Sequence, residues 1–370
     1  MNYRLKKCKV ENLAAGMILG NTVYDENHNV LIDQGAVLNN QMIFKLLDRW
    51  LEDVEILEAL PQDDESFPSG PKAIHDQNVL DLGYVGKYRE VILKLKEIFS
   101  LARSTGQVNV DAVEKIVTDP GFMQMAEGAK AITQVHNIPR NEDYLLHHSL
   151  HVAVLLGVMG KWMDFKPRVL QDIVTMGLLY EIGKTQIDRE ILEKPGKLTE
   201  AEMKKVQQHA SLAFELLRYT KLKERQDVLF GILQHHERLD GSGYPARMSG
   251  RQICSFAKLL AIADIYDAMG AKKAYAMPTS PFSVFNILMD QIATNKIDPE
   301  YGVLFIKNMR QVLNGNWVYL SNGIKAKIIY VDEKDLRAEP VVQSETGKFI
   351  DLNKSQDISI SYLLTEDQVS

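Results

Sequence analysis

Apolar and polar positions along this chain follow three successive patterns. Over residues 1–58 short apolar runs are separated by turn residues. The stretch GMILGNTVYDENHNVLIDQGAVL breaks at Asp25-Glu26-Asn27 and at Gln34-Gly35, which predicts short strands. An amphipathic helix over about 41–50 and a strand at VEIL complete a small β-rich unit. Residues 59–82 contain PQDDESFPSGPK, rich in Pro, Gly, Ser and acid, and predict a solvated linker. From 83 the period lengthens. Val85, Tyr88, Val91, Ile92, Leu95, Ile98 and Phe99 recur at three and four residues, a helical stripe. Residues 83–124 therefore predict a helical connector, and helical periodicity continues through a larger domain over 125–312. Within it, Thr199 followed by Glu202 predicts a capping box opening the helix that carries His209. Ser280-Pro281 and Asp298-Pro299 each place a cap residue before a first-turn proline. Residues 313–370 return to strand-like alternation. WVYLSNGIKAKIIYV carries the hairpin dipeptide Asn322-Gly323, and AEPVVQSETGKFIDL offers a second strand pair around a glycine. The expected fold class is mainly α: a helical bundle with a small β-rich N-terminal unit and a small β C-terminal appendage.

Composition narrows the class of protein. At 370 residues the chain exceeds one ordinary domain, and 45% apolar with 25% charged residues is the balance of a soluble globular protein. The formal net charge is −6 and no Lys/Arg block stands out, so broad nucleic-acid binding is not expected. An anionic ligand must then be held by a local cluster of cations or by metal ions. Cys8 and Cys254 are the two cysteines. They make neither a zinc spacing nor a disulfide framework, and a reducing, cytoplasmic location is expected. The opening MNYRLKKCKVENL has no apolar core of a signal peptide, and no run approaches the ~18 apolar residues of a membrane span.

The chemistry concentrates in the helical region. Of nine histidines, seven lie between 136 and 236: His136, His147, His148, His151, His209, His235 and His236. A lone helical histidine is ordinarily a satisfied surface or core residue, but clustering changes that expectation. His235-His236-Glu237 leads into Asp240-Gly241-Ser242-Gly243-Tyr244-Pro245, where glycines let the backbone fold back beside the imidazoles. Downstream, AKLLAIADIYDAMG is apolar almost all round up to Asp264, which points that carboxylate into the core, where it needs a strong partner such as a metal ion. Asp267 reads instead as a hydrogen-bonded core carboxylate. Imidazole with carboxylate suits iron, manganese or zinc.

These segments resemble a known family. HHERLDGSGYP closely resembles the signature of HD-GYP proteins, bacterial phosphodiesterases of cyclic di-GMP. YLLHHSLHVA resembles the family's first ligand helix and puts His148 in the ligand place. GLLYEIGK resembles the segment that carries His-Asp followed by Ile-Gly-Lys, KPGKLTEAEMKKVQQHASLAFELL makes His209 a ligand, and AIADIYDAM places the last carboxylate at Asp264. The five segments fall in family order between about 140 and 280. The resemblance implies an HD-type helical bundle around two divalent transition metals, iron or manganese. The ligands would be His148, Glu181, His209, His235, His236 and Asp264, with Lys184 as the catalytic cation. Two metals ~3.5–4 Å apart can activate a water and clamp a phosphate. Substrate contacts are expected from Arg238, Asp240, Gly243, Tyr244, Pro245, Lys273 and Tyr275. The implied partner is cyclic di-GMP; a signalling protein partner and a homodimer are compatible with it.

The chain also departs from the pattern. Tyr180-Glu181 stands where the family has His-Asp. Glu181 keeps a carboxylate, but phenol is a poor substitute for imidazole, with a reference pKa near 10, although phenolate can ligate ferric iron. The second metal site is therefore expected to be weakened. Some members hold a third metal through a Glu at the place of Tyr144. The family's Arg-Pro-Tyr-Arg-Lys phosphate segment is Lys273-Ala274-Tyr275-Ala276-Met277 here, and the proline after His209 is Ala210. The leading expectation is a phosphodiesterase releasing linear pGpG or GMP at a reduced rate. The alternative is a degenerate relative that binds a nucleotide or a partner protein without hydrolysis. A third is hydrolysis of another phosphoester.

Overall fold

The structure is a computed structural model. It describes residues 3–364 apart from 15, 26–28, 50, 52, 60–80, 128, 139–142, 271–278 and 356. Most of the expected linker, and the whole segment with Lys273 and Tyr275, lie outside the described residues. The chain divides into two compact units, one ending at Gly86 and the other spanning Lys87–Leu364.

The first unit holds strands β1 (Tyr3–Lys9), β2 (Ile18–Leu19), β3 (Val23–Tyr24), β4 (Val30–Ile32) and β5 (Asp53–Ala59), with helix α1 (Asn40–Asp48) between β4 and β5 in the chain. β1 and β2 both pair antiparallel with β5, which is the central strand, while β3 and β4 form a separate hairpin. Asn39 caps α1 by accepting from the Met42 amide. Leu19, Ile43, Leu46 and Ile56 form its core.

The stripe that begins at Val85 forms α2 (Leu82–Thr105), and every residue of the stripe is buried. The second unit continues with α3 (Val110–Val117), α4 (Pro120–Glu127), α5 (Ala129–Asn137), α6 (Tyr144–Trp162), α7 (Pro167–Leu179), α8 (Arg189–Leu192) and α9 (Glu200–Gln207). Then come α10 (His209–Leu217), α11 (Gln226–Gln234), α12 (Ser255–Gly270), α13 (Pro281–Ala293) and α14 (Pro299–Leu313). α6 and α12 are apolar nearly all round and buried, and they form the centre of the bundle.

Two cap expectations change on inspection. The Thr199–Glu202 capping box forms, but it opens α9, which ends before His209. The His209 Nδ1 engages the Val206 carbonyl at 2.7 Å, so that carbonyl is taken by a side chain and His209 starts α10 instead. Asp298 caps α14 through the Glu300 and Tyr301 amides, whereas Ser280 makes no cap bond and its hydroxyl is buried without a partner.

Five strands close the second unit: β6 (Trp317–Leu320), β7 (Lys325–Tyr330), β8 (Val341–Ser344), β9 (Phe349–Asp351) and β10 (Ile360–Leu363), ordered β10-β6-β7-β8-β9. The Asn322-Gly323 turn joins β6 to β7, with Gly323 at φ +85°. Buried Arg310 of α14 donates to the Leu336 carbonyl at 3.2 Å, tying this sheet's connecting loop to the helices.

Candidate metal centre

Five helices and a 3-10 turn converge on one buried point. α6 supplies His148. α12 supplies Asp264 and, one turn on, Asp267. The C-terminal end of α7 presents Tyr180 and Glu181, followed by a 3-10 turn over Ile182–Gln186 that carries Lys184. His209 opens α10, and His235-His236 follow α11. The 3-10 turn lies so close to α10 that a Cβ on Gly183 would meet the His209 carbonyl oxygen at 1.9 Å and the Ala213 nitrogen at 2.6 Å. Only glycine permits that approach, and it sets Glu181 beside His209.

The side chains form two groups whose ligand atoms lie within 4.8 Å of one another: His209, His235, His236, and His148, Glu181, Asp264. Glu181 links them, with Oε1 3.9 Å from His148 Nε2 and Oε2 3.7 Å from His209 Nε2. All six sequence-predicted ligands are thus brought together. Lys184 Nζ donates to Glu181 Oε1 at 2.6 Å.

The hydrogen bonds fix which nitrogen of each ring is free. His209 Nδ1 faces the Val206 carbonyl at 2.7 Å and His235 Nδ1 faces the Ile232 carbonyl at 2.6 Å, so each Nδ1 is assigned the proton. The two Nε2 atoms then face each other as lone pairs at 3.2 Å, an arrangement that a cation between them stabilises. Glu181 Oε2 is buried with no hydrogen-bond partner. This donor set of imidazoles and carboxylates fits a divalent transition metal. Across the site, His148 Nδ1 bonds Asp267 at 2.6 Å while its Nε2 lies 3.0 Å from Asp264. Asp267 therefore orients the His148 ring, an arrangement that suits a metal-binding imidazole. The chain of contacts continues outward from Asp267 to His151 and from His151 to Tyr88 of α2.

Electrostatics divide the two groups. Burial keeps His209 and His236 below their ordinary values, and burial with the neighbouring His209 lowers His235 to about 4, so all three are neutral imidazoles. Burial also opposes charge on His148, but the bonds to Asp264 and Asp267 prevail and raise it to about 9. Burial likewise opposes ionisation of Glu181, yet the charges of Lys184 and His148 hold it below the usual range. For Asp264 the His148 bond outweighs burial and keeps the carboxylate ionised. Tyr180 is fully buried, and burial with the adjacent Asp264 raises its pKa well above 10. It is a phenol that donates to Asp264 Oδ1 at 2.9 Å. A hydrogen-bond donor stands where the pattern the sequence resembles has a histidine.

The loop after His236 forms one wall. A Cβ on Gly243 would lie 2.4 Å from the His236 carbonyl oxygen and 2.5 Å from the Arg238 nitrogen, so glycine alone lets the loop fold this tightly. Tyr244 stacks on His236 with centroids 4.6 Å apart. Arg238 donates to the His235 and Glu237 carbonyls and helps lock the turn. Asp240 is exposed and accepts from Ser242 within its own loop, and Pro245 is also exposed.

Sequence reasoning left three contributors unassigned. Asp267 lies three residues after Asp264, a spacing that puts both on one helix face. Buried Glu237 holds the loop by accepting from the Ala246 and Met248 amides at 2.7 and 2.9 Å. Tyr88 had been read only as part of an apolar stripe.

Comparison with known proteins fits this geometry. The family described as "HD domain" matches residues 128–301. The chain is 26% identical over 324 residues to 3'3'-cGAMP-specific phosphodiesterase 1 of Vibrio cholerae, covering 84% of this chain and 73% of that one. It is 32% identical over 148 residues to the cyclic di-GMP phosphodiesterase PA4108 of Pseudomonas aeruginosa, covering 39% of this chain and only 35% of that one. Among solved structures, Bd1817, an HDG"Y"P protein from Bdellovibrio bacteriovorus, aligns with a TM-score of 0.48 at 14% identity, covering 82% of this chain and 98% of that one. The matched stretch takes in all of the residues that converge on the candidate centre. Against the HD-GYP pattern that the sequence resembles, Tyr180-Glu181 stands in the place of the His-Asp doublet. Among the described residues, no helix is long and apolar enough to cross a membrane.

Proposed function

We propose that this chain is a metal-dependent phosphodiesterase that opens a cyclic dinucleotide, cyclic di-GMP or a close analogue, to a linear product. The observation that carries the reading is the opposed pair of Nε2 lone pairs on His209 and His235, next to the unpartnered Glu181 oxygen. His209, His235, His236 and Glu181 would hold one ion, and His148, Asp264 and Glu181 a second, iron or manganese by donor chemistry. Bound there, divalent metals supply a Lewis acid for a phosphate oxygen and a water made nucleophilic at neutral pH.

The chain's own groups do the rest. Lys184 places a positive charge at the Glu181 edge, where negative charge develops on the phosphate in the transition state. Asp267 holds His148 with Nε2 directed at the site. Tyr244 shields the His236 side from water and offers a stacking face, and Arg238, Lys273 and Tyr275 are proposed contacts to the dinucleotide. Asp240, Gly243 and Pro245 shape the loop that carries Tyr244. Tyr180 subtracts one ligand from the second group, and the reading is therefore a slow enzyme. Replacing Lys184 with Ala tests it: turnover of cyclic di-GMP falls more than binding, because the charge acts mainly in the transition state. Equal loss of both contradicts the role.

A further inference from the structure

The apolar stripe of α2, from Val85 to Phe99, contains one residue with a polar side-chain atom, Tyr88. Phenylalanine would bury the same ring, and a buried hydroxyl is tolerated only when it is bonded. Tyr88 is 3% exposed, and its hydroxyl meets two histidines of α6: His151 Nε2 at 2.8 Å and His147 Nδ1 at 2.7 Å. The buried His151 ring reaches on to Asp267 Oδ1 at 3.3 Å, and the other Asp267 oxygen meets His148 Nδ1 at 2.6 Å. Both oxygens of that carboxylate thus face an imidazole. None of the six candidate ligands lies on α2, yet the run of bonds from α2 ends on one of them.

Hydrogen-bond chemistry gives this run one direction. An ionised carboxylate only accepts, so His148 and His151 each donate to Asp267 from Nδ1. A neutral imidazole with its proton on Nδ1 has a lone pair on Nε2, and in His151 that lone pair takes the Tyr88 hydroxyl proton. The phenol has no second proton, so its oxygen accepts from His147 Nδ1. We infer that Tyr88 is a positioning residue of the metal centre: its hydroxyl selects the His151 tautomer that donates to Asp267, and so keeps that carboxylate on His148 with Nε2 directed at the metal. With its proton on Nε2 instead, His151 would set a lone pair against Asp267 Oδ1 and push the carboxylate away from the ring it orients. Outer partners of a metal-binding histidine tune metal affinity in this way. The inference rests on the metal centre of the proposed reaction and is independent of which phosphoester is cleaved there.

The test uses the full-length protein with zinc, a diamagnetic ion that suits the same donors. Tyr88→Phe keeps the ring in the core and removes the hydroxyl. Zinc affinity, read by equilibrium dialysis with elemental analysis, is expected to fall about 3–10-fold, less than the ~10–100-fold of a group that touches the ligand itself. Nitrogen NMR on isotope-labelled histidine reads the tautomer. The His151 signal, identified by its loss in His151→Phe, reports the proton on Nδ1 in the wild-type protein and wholly or partly on Nε2 in Tyr88→Phe. In the His151→Phe background the link is already cut, so adding Tyr88→Phe lowers zinc affinity no further. Ile98→Val, a buried change elsewhere on the stripe, lowers Tm and leaves zinc affinity and the His151 tautomer unchanged. Wild-type zinc affinity in Tyr88→Phe, an unaltered His151 tautomer, or additive losses in the double variant overturns the role. If the wild-type protein binds no zinc, manganese or iron, the centre itself falls and the role with it. Metal binding that weakens in Tyr88→Phe, in a protein that cleaves no cyclic dinucleotide, upholds the role and refutes the proposed reaction alone.

Discussion

Gly183→Ala tests the claim that one glycine builds the metal centre. The added Cβ would lie 1.9 Å from the His209 carbonyl oxygen and 2.6 Å from the Ala213 nitrogen. Both are backbone atoms, so no side-chain rotation relieves the contact. Restoring an ordinary separation of 3.4 Å requires the 3-10 turn and α10 to part by about 1.5 Å. Overpacking of this kind costs about 1–3 kcal/mol, a large part of the ~5–15 kcal/mol that holds a domain folded. The centre is more sensitive still. Glu181 and Lys184 sit on one side of the opened gap and His209 on the other, while metal–ligand distances tolerate only ~0.2 Å. Affinity for manganese is expected to fall by at least about 10–100-fold, read by equilibrium dialysis with elemental analysis. Gly106→Ala is the control. Gly106 has φ +68° and nothing within 4 Å of its added Cβ, so it carries backbone strain without crowding the centre. Lower Tm with unchanged metal affinity is expected there. Wild-type metal affinity in Gly183→Ala would refute the argument from close approach.

Asp267→Asn removes the negative charge and one of the two acceptor oxygens that face His148 and His151, and is expected to weaken metal binding about 10–100-fold with little loss of helix content, checked by dialysis and circular dichroism. Tyr180→His with Glu181→Asp restores an imidazole in the second group and is expected to raise both metal stoichiometry and turnover; an unchanged rate would place the limit elsewhere, at Ala276 and Met277. His148 is raised to about 9 without metal, so it is protonated at pH 7.5 and must lose that proton to ligate through Nε2. Calorimetry in buffers of different ionisation enthalpy should therefore show about one proton released per second-group ion at pH 7.5 and fewer at pH 10. By the same sign, the His148 contribution to metal-free stability is fully present below about 6.5 and is lost as pH rises through about 9.

Much of the candidate site is legible in the chain because the side chains that converge there sit in local patterns. His235-His236 before a Gly-rich turn, and Asp264 within an otherwise apolar helix, are visible without a fold. The identity of Tyr180 was equally plain, but its role was not. Whether that phenol ligates or donates depends on Asp264, which is 84 residues away in sequence and 2.9 Å away in space. Asp267 was read correctly as a core carboxylate, yet its partner His148 lies on another helix, and sequence spacing carries no such long-range pairing. The capping box was right and the helix it opened was one too early, because the His209 ring takes a carbonyl and breaks the ladder.

The most direct test of the account is product analysis. Protein loaded with manganese, or with iron under anaerobic conditions, is incubated with cyclic di-GMP and separately with 3'3'-cGAMP, and the nucleotides are separated by chromatography. The account predicts a linear dinucleotide or mononucleotide from at least one of them, abolished by chelator and restored by added metal. Intact cyclic dinucleotide after prolonged incubation with protein carrying its full complement of metal would contradict it.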